Sequence, residues 1–201
     1  MITLFIKGGL VMWPLLLASI IAVSVVVERL VFIVKQKKSR EPETVQQILK
    51  HVEHGEIVLA IESGKNTQDF VARTLIYGLT HQEVSFTNAL LLASNKELKR
   101  YNQGLSVLDT IITLAPLLGL FGTVTGMINA FGLLGNAGLE APTVITGGIA
   151  EALIATAFGL VIAIMALIPF NYLNSLLEEA RHDLEVSATH LELLLLKRAQ
   201  K

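Results

Sequence analysis

The 201-residue chain contains no cysteine, which excludes a disulfide framework, a thiolate metal site and a thiol nucleophile. Charge is scarce as well. Asp, Glu, Lys and Arg make up 16% of the sequence, against about 25% in ordinary water-soluble domains. A net charge of −1 provides no basic surface for nucleic acid, so none is expected as a partner. The five histidines are scattered. His51 and His54 alone are close neighbours, and a solvated helix face accounts for them without a metal ion. The sequence offers no nucleophile–base pair, metal-ligand set or phosphate-binding loop, so neither an enzyme nor a cofactor is expected.

What remains is apolar. Hydrophobic residues reach 52%, and the mean hydropathy of +0.60 is too high for a chain with a polar surface facing water on all sides. Residues 8–27 carry no charge, and residues 110–177 carry only Glu140 and Glu151. Uninterrupted apolar runs of about 18 residues or more read as membrane-spanning helices. The expected fold is therefore all-α, a polytopic membrane protein with three transmembrane helices. The first, after an outside segment, falls within 1–34, the second at 105–134 and the third at 143–172. A cytoplasmic helical region takes 35–104, an outside loop 135–142 and a cytoplasmic C-terminal helix 173–201. The basic clusters Arg29/Lys35/Lys37/Lys38/Arg40, Lys96/Lys99/Arg100 and Arg181/Lys197/Arg198 all fall on one side under this arrangement, and the 135–142 loop has no Lys or Arg. Positive charge stays cytoplasmic, which puts the amino terminus outside and the carboxyl terminus inside.

Finer signals organise the polar segment. Pro42 suits a helix start and Gly55 its end; a short helix over Glu56–Ser63 closes at Gly64, and a third runs from Thr67 to about Leu79. Beyond Val84, the positions Thr87, Leu91, Ser94, Leu98, Tyr101, Leu105, Leu108 and Ile112 alternate steps of four and three. Leu173, Leu177, Ala180, Leu184, Ser187, Leu191 and Leu194 repeat that rhythm. Such seams predict that spans two and three continue as long helices into the cytoplasm, packing within one chain or between copies. Pro14, Pro116 and Pro169 interrupt the spans, which membrane helices tolerate when neighbours satisfy the freed carbonyls.

The two inner spans each carry a face of small residues: Ala115, Gly119, Gly122, Gly126 and Ala130 on one, and Gly148, Ala152, Ala155, Gly159, Ala163 and Ala166 on the other. Lipid supplies no hydrophobic drive between helices, so close backbone approach must supply the attraction. The spacing leaves open pairing within the chain, with a second copy or with a foreign helix; pairing within the chain is the simplest. Glu151 stands out in the third span. A charged residue at mid-membrane costs about 2.5–3.5 kcal/mol on insertion scales, and no span offers a Lys or Arg to neutralise it. It must be protonated, face water or meet a partner's donor or cation; the structural alternative is a neutral acid gluing helices together. Thr123 and Thr156 border the small faces. Each alone suggests a hydroxyl bonded to the carbonyl four residues back; with Glu151 they give one path a carboxyl and two hydroxyls.

At these residues the sequence resembles the MotA/TolQ/ExbB proton-channel family, closest to its ExbB and TolQ branch. The likeness begins with GGLVMWPLLLAS and the ERL that ends span one. It is most specific in LAPLLGLFGTVTGM (Leu114–Met127) and ITGGIAEALIATAFGL (Ile145–Leu160). The resemblance implies a homo-oligomeric ring, a pentamer, in the bacterial inner membrane, lined by spans two and three. It implies as partners an ExbD- or TolR-like single-span protein, whose aspartate carries protons inside the ring, and a TonB- or TolA-like protein that passes work to the outer membrane. The family's acidic pore residue falls on Glu151 and its pore threonines on Thr123 and Thr156. Gly119, Gly122, Gly126, Gly148, Ala152, Ala155 and Gly159 would form pore wall or helix packing. As a smooth wall they would let a helix turn, so that enlarging Gly122 or Gly159 to Leu blocks coupling while the ring still assembles. Two other classes stand beside this motor subunit. One is a non-conducting membrane scaffold that assembles a partner helix; the other is a self-sufficient transporter, disfavoured by three spans without an evident repeat.

Overall fold

The computed structural model describes residue 5, residues 8–134 and residues 141–199, and every described element is helical. The helices are α1 (Met12–Lys38), α2 (Pro42–His54), α3 (Ile57–Ser63), α4 (Phe70–Thr80), α5 (Gln82–Asn102), α6 (Leu105–Leu134) and α7 (Ala141–Ala199). Three stretches are long and apolar enough to cross a membrane: Met12–Lys38, Ser85–Gly132 and Thr146–Arg198. The chain is thus an all-helical membrane protein with three candidate spans. Residues 135–140 of the expected outside loop, and residues 1–4 and 6–7 of the expected outside segment, lie outside the described residues.

Two compact units divide the chain, Met1–Arg29 with Gly104–Leu173, and Leu30–Gln103 with Asn174–Lys201. In the first, α1 turns Leu15, Ala18 and Ala22 inward, three and four residues apart, while Leu17, Ile20 and Val23 stay exposed. That periodicity places one stripe of the helix on protein and leaves the rest for lipid or other chains. Pro14 sits in the first turn of α1, where a missing N–H costs nothing. Pro116 and Pro169 lie inside α6 and α7 without ending them. Arg29, only 3% exposed, pairs with the adjacent Glu28.

The second unit packs α2 to α5 with the carboxyl-terminal part of α7. Val45, Ile48 and Val52 form the buried stripe of α2, and Phe70, Val71, Leu75 and Leu79 that of α4. Gly55 closes α2 in the left-handed conformation (φ 92°), which a residue without Cβ adopts freely. Helix α4 starts three residues later than Thr67, because Asp69 is its cap: its carboxylate accepts from the Val71 and Ala72 amides, satisfying donors the first turn leaves free. The α7 positions Leu177, Ala180, Leu184 and Leu191 are buried, in line with the expected seam.

The partner seam differs from expectation. A helix running unbroken from Val84 through Ile112 does not form. Non-helical Ser85 kinks α5 near its start, and Gly104 at φ 81° separates α5 from α6. On α5 the buried residues are Ala89, Leu90, Glu97 and Tyr101, while Leu91 is 59% exposed. Helix α4 is the reason: a Cβ on its Gly78 would touch Leu90 and Phe86, so α5 turns its inner face toward α4 as well as α7.

Candidate functional site

Helices α6 and α7 run against each other along their small residues, with main chain or alanine Cβ atoms at each contact. A Cβ added at Gly159 would lie 2.5 Å from the Ala115 carbonyl oxygen and 3.1 Å from the Gly119 Cα. One at Gly119 would lie 3.0 Å from the Thr156 Cα, and one at Gly122 2.5 Å from the Ala155 Cβ. Gly126 meets Ala152 and the Gly148 carbonyl, while Gly148 meets Ala130. The order reverses along the two helices, as antiparallel neighbours require. Ala115, Ala130, Ala152 and Ala155 are buried accordingly. The small faces therefore meet each other within one chain. The space of the missing side chains at Gly122 and Gly159 is filled by α7 and α6, so both glycines serve helix packing within the chain.

Thr156 takes part in that contact. Its hydroxyl donates to the Gly119 carbonyl at 3.0 Å, with the Ala152 carbonyl of its own helix at 3.4 Å as a weaker second acceptor. Close approach at Gly119 is what brings the carbonyl within reach. Thr123 behaves differently. Its hydroxyl donates to Leu120 one turn back at 2.6 Å, and it borders an open surface hollow with Val124, Met127, Ile128 and Phe131. The exposed Leu117, Leu120, Phe121, Val124, Ile128 and Phe131 make this face of α6 strongly apolar.

Glu151 lies ten residues from the start of α7, about 15 Å along the axis at 1.5 Å per residue. It is half-buried, and among the described residues its carboxyl has no hydrogen-bond or ion-pair partner. Its neighbour across the fold is Gly9, whose missing side chain leaves the room that the carboxyl fills. No hydrogen bond joins any two of Glu151, Thr123 and Thr156 among the described residues. One chain thus presents three polar groups on two helices and does not link them.

Two features escaped the sequence reading. The Gly9 contact had a signal, the Gly8-Gly9 doublet ahead of the first span, but nothing in the spacing ties it to α7. The second is a charged node in the other unit. Arg40 donates to both oxygens of Asp69, at 3.0 and 3.2 Å, and to Asp183 at 2.6 Å; the Glu41 amide also donates to Asp69 at 2.7 Å. Asp69 is wholly buried there, and such a charge is tolerated only when paired and hydrogen-bonded. Nearby in the same unit, buried Glu97 accepts from Arg73 and Arg100 at 2.7 and 2.8 Å. Every member of these sets has its partner, which suits an architectural tie. Among the described residues no three His, Asp or Glu side chains gather to hold a metal ion.

Residues 64–186 match the MotA/TolQ/ExbB proton channel family. A Synechocystis protein named ExbB-like 1 is 38% identical over 198 residues, covering 94% of this chain and 77% of the relative. The biopolymer transport protein ExbB of Neisseria gonorrhoeae is 38% identical over 99 residues, 49% of this chain and 45% of its own. The Tol-Pal system protein TolQ of Haemophilus influenzae is 42% identical over 86 residues, 43% of this chain and 38% of its own.

Proposed function

Because this chain belongs to the MotA/TolQ/ExbB proton channel family, we propose that it is the channel-forming subunit of an inner-membrane motor driven by the proton-motive force. In this reading several copies, five by analogy with the family, form a ring around the span of an ExbD- or TolR-like protein. Proton flow through that assembly does work on the envelope through a TonB- or TolA-like protein. The amino terminus is periplasmic and the carboxyl terminus cytoplasmic, as the basic clusters favour. Residues 35–104 and 173–201 then form the cytoplasmic part, and 135–142 the outer loop.

One observation carries the reading: a half-buried carboxyl on a candidate span, with no countercharge and no hydrogen-bond partner among the described residues. An acid in that position needs a proton, water or a donor from another polypeptide, and each of these serves proton transfer. The apolar face that α6 leaves exposed supports a surface for other helices or lipid. Energetically, one charge crossing about 100 mV releases about 2.3 kcal/mol, so a few protons suffice for a conformational cycle. Thr123, at the edge of the exposed α6 face, and Thr156, at the helix contact, are assigned supporting places on the same path.

Glu151→Gln tests the reading, since it removes the carboxyl and keeps size and polarity. The expected outcome is a sharp drop in activity dependent on the proton-motive force in cells carrying the chain with its natural partners, at unchanged abundance. Full activity in the variant would favour a non-conducting scaffold.

A further inference from the structure

The geometry points to Gly9 as a positioning residue for Glu151: the turn before α1 forms a seat for the carboxyl that only glycine leaves open. A Cβ built on Gly9 would overlap Glu151 Oε1 and lie 2.8 Å from its Cδ and 3.3 Å from its Cγ. The carboxyl thus occupies the volume of a side chain that is not there. Gly9 itself is at φ 73°, a conformation that L-residues with a Cβ adopt at a steric cost. Its carbonyl accepts from the Met12 amide, so the seat is tied to the first turn of α1. The neighbouring residues fasten the turn to α7. A Cβ on Gly8 would meet Met12 and, at 3.1 Å, Ile154, and Met12 is 1% exposed. Val11, 6% exposed, stands 3.6 Å from the Cβ position of Gly122. Segment 8–12 therefore lies along α7 beside residues 151–154, and its backbone takes the place of water on one side of the carboxyl.

The atoms in the way at Gly9 are the far end of a flexible side chain, whereas the obstacles at Gly159 are main chain. Alanine at Gly9 should therefore displace the carboxyl and leave helix packing in place. Its role in proton movement rests on the proposed function; the seat does not.

The test uses the full chain reconstituted in phospholipid vesicles, with dicyclohexylcarbodiimide as the probe of the acid at position 151, read by peptide mass. Gly9→Ala is made in the natural chain and in a Glu151→Asp background, in which the shorter side chain withdraws the carboxyl from the seat. Backbone strain at Gly9 is common to both backgrounds. The expected result is a change in labelling rate with Glu151 that exceeds the change in the Asp background by at least about threefold, the coupling of contacting residues. Equal factors in the two backgrounds, or no effect in either, would overturn the inference. Should Gly9→Ala fail to reconstitute, proximity is tested in a chain otherwise free of cysteine. Gly9→Cys with Glu151→Cys should close a disulfide on mild oxidation, and failure to close overturns the seat. Neither readout involves a partner or proton flow. An active Glu151→Gln variant would remove the motor reading and leave the seat standing, and absent coupling would do the reverse.

Discussion

Substituting Gly159 by alanine asks whether α6 and α7 are held by backbone contact. The added methyl would stand 2.5 Å from the Ala115 carbonyl oxygen and 3.1 Å from the Gly119 Cα, against the roughly 3.5–4.0 Å of an optimal contact. Both obstacles are main chain, so the helices must part, and a gap of about 0.5–1 Å forfeits a quarter to a half of each dispersion well. Overpacking of this kind costs about 1–3 kcal/mol. Separation also stretches the 3.0 Å Thr156–Gly119 bond, a class of interhelical bond worth about 0.6 kcal/mol on average in membranes. Alanine's better helix propensity offsets about 1 kcal/mol. The net expectation is a loss of about 1.5 kcal/mol. Gly132 and Gly147 serve as controls, since a Cβ there meets nothing within 4 Å; alanine at either should raise stability by up to about 1 kcal/mol. The measurement is reversible unfolding in mixed micelles at rising dodecyl sulfate, followed by circular dichroism. A Gly159→Ala chain as stable as Gly147→Ala would refute the close packing.

Arg40→Ala leaves the wholly buried Asp69 carboxylate without its guanidinium, and should cost about 3–5 kcal/mol. Thermal unfolding would register this, and Arg40→Ala combined with Asp69→Asn should recover part of the loss. Gly104→Ala forces a side chain into φ 81° and should destabilise by about 1–2 kcal/mol; an unchanged melting temperature would show that the α5–α6 break tolerates any residue.

How legible the fold was depended on whether the deciding force is local. The span positions follow from where charge is missing, and the ends of α2 and α3 from Pro42, Gly55 and Gly64. The start of α4 was misplaced because Thr67 and Asp69 are both cap formers; only Asp69 reaches the Val71 and Ala72 amides. The break before α6 was hidden because Leu105, Leu108 and Ile112 prolong the apolar rhythm of α5 across Gly104, and periodicity reads side chains while the left-handed φ is a backbone property. At the candidate site, the small faces were legible as faces. Pairing within the chain was the simplest reading and is what forms, although spacing by itself says that a backbone can be approached and not by what. Arg40, Asp69 and Asp183 are separated by 29 and 114 positions in the chain (69 − 40 and 183 − 69), so no local pattern joins them.

The three polar groups of the candidate path differ in the bonding capacity they retain, and that ranks their substitutions. A hydroxyl has one proton to donate. Thr156 uses its proton on Gly119 of the facing helix and Thr123 on Leu120 of its own. Thr156→Val should therefore lower stability by about 0.6 kcal/mol or slightly more, part of any functional loss following from a loosened helix pair. Thr123→Val gives up only a bond within one turn and should leave stability within about 0.5 kcal/mol, so an activity loss there would report on the exposed face. Glu151 makes no hydrogen bond or ion pair among the described residues. Replacing its carboxyl by an amide should cost no folding stability and should remove the largest share of proton-dependent activity. Stability and activity measured on the same three variants separate these roles. A Glu151→Gln chain that unfolds earlier than Thr156→Val would mean that the acid is interhelical glue, contrary to a carboxyl without a bonded partner among the described residues.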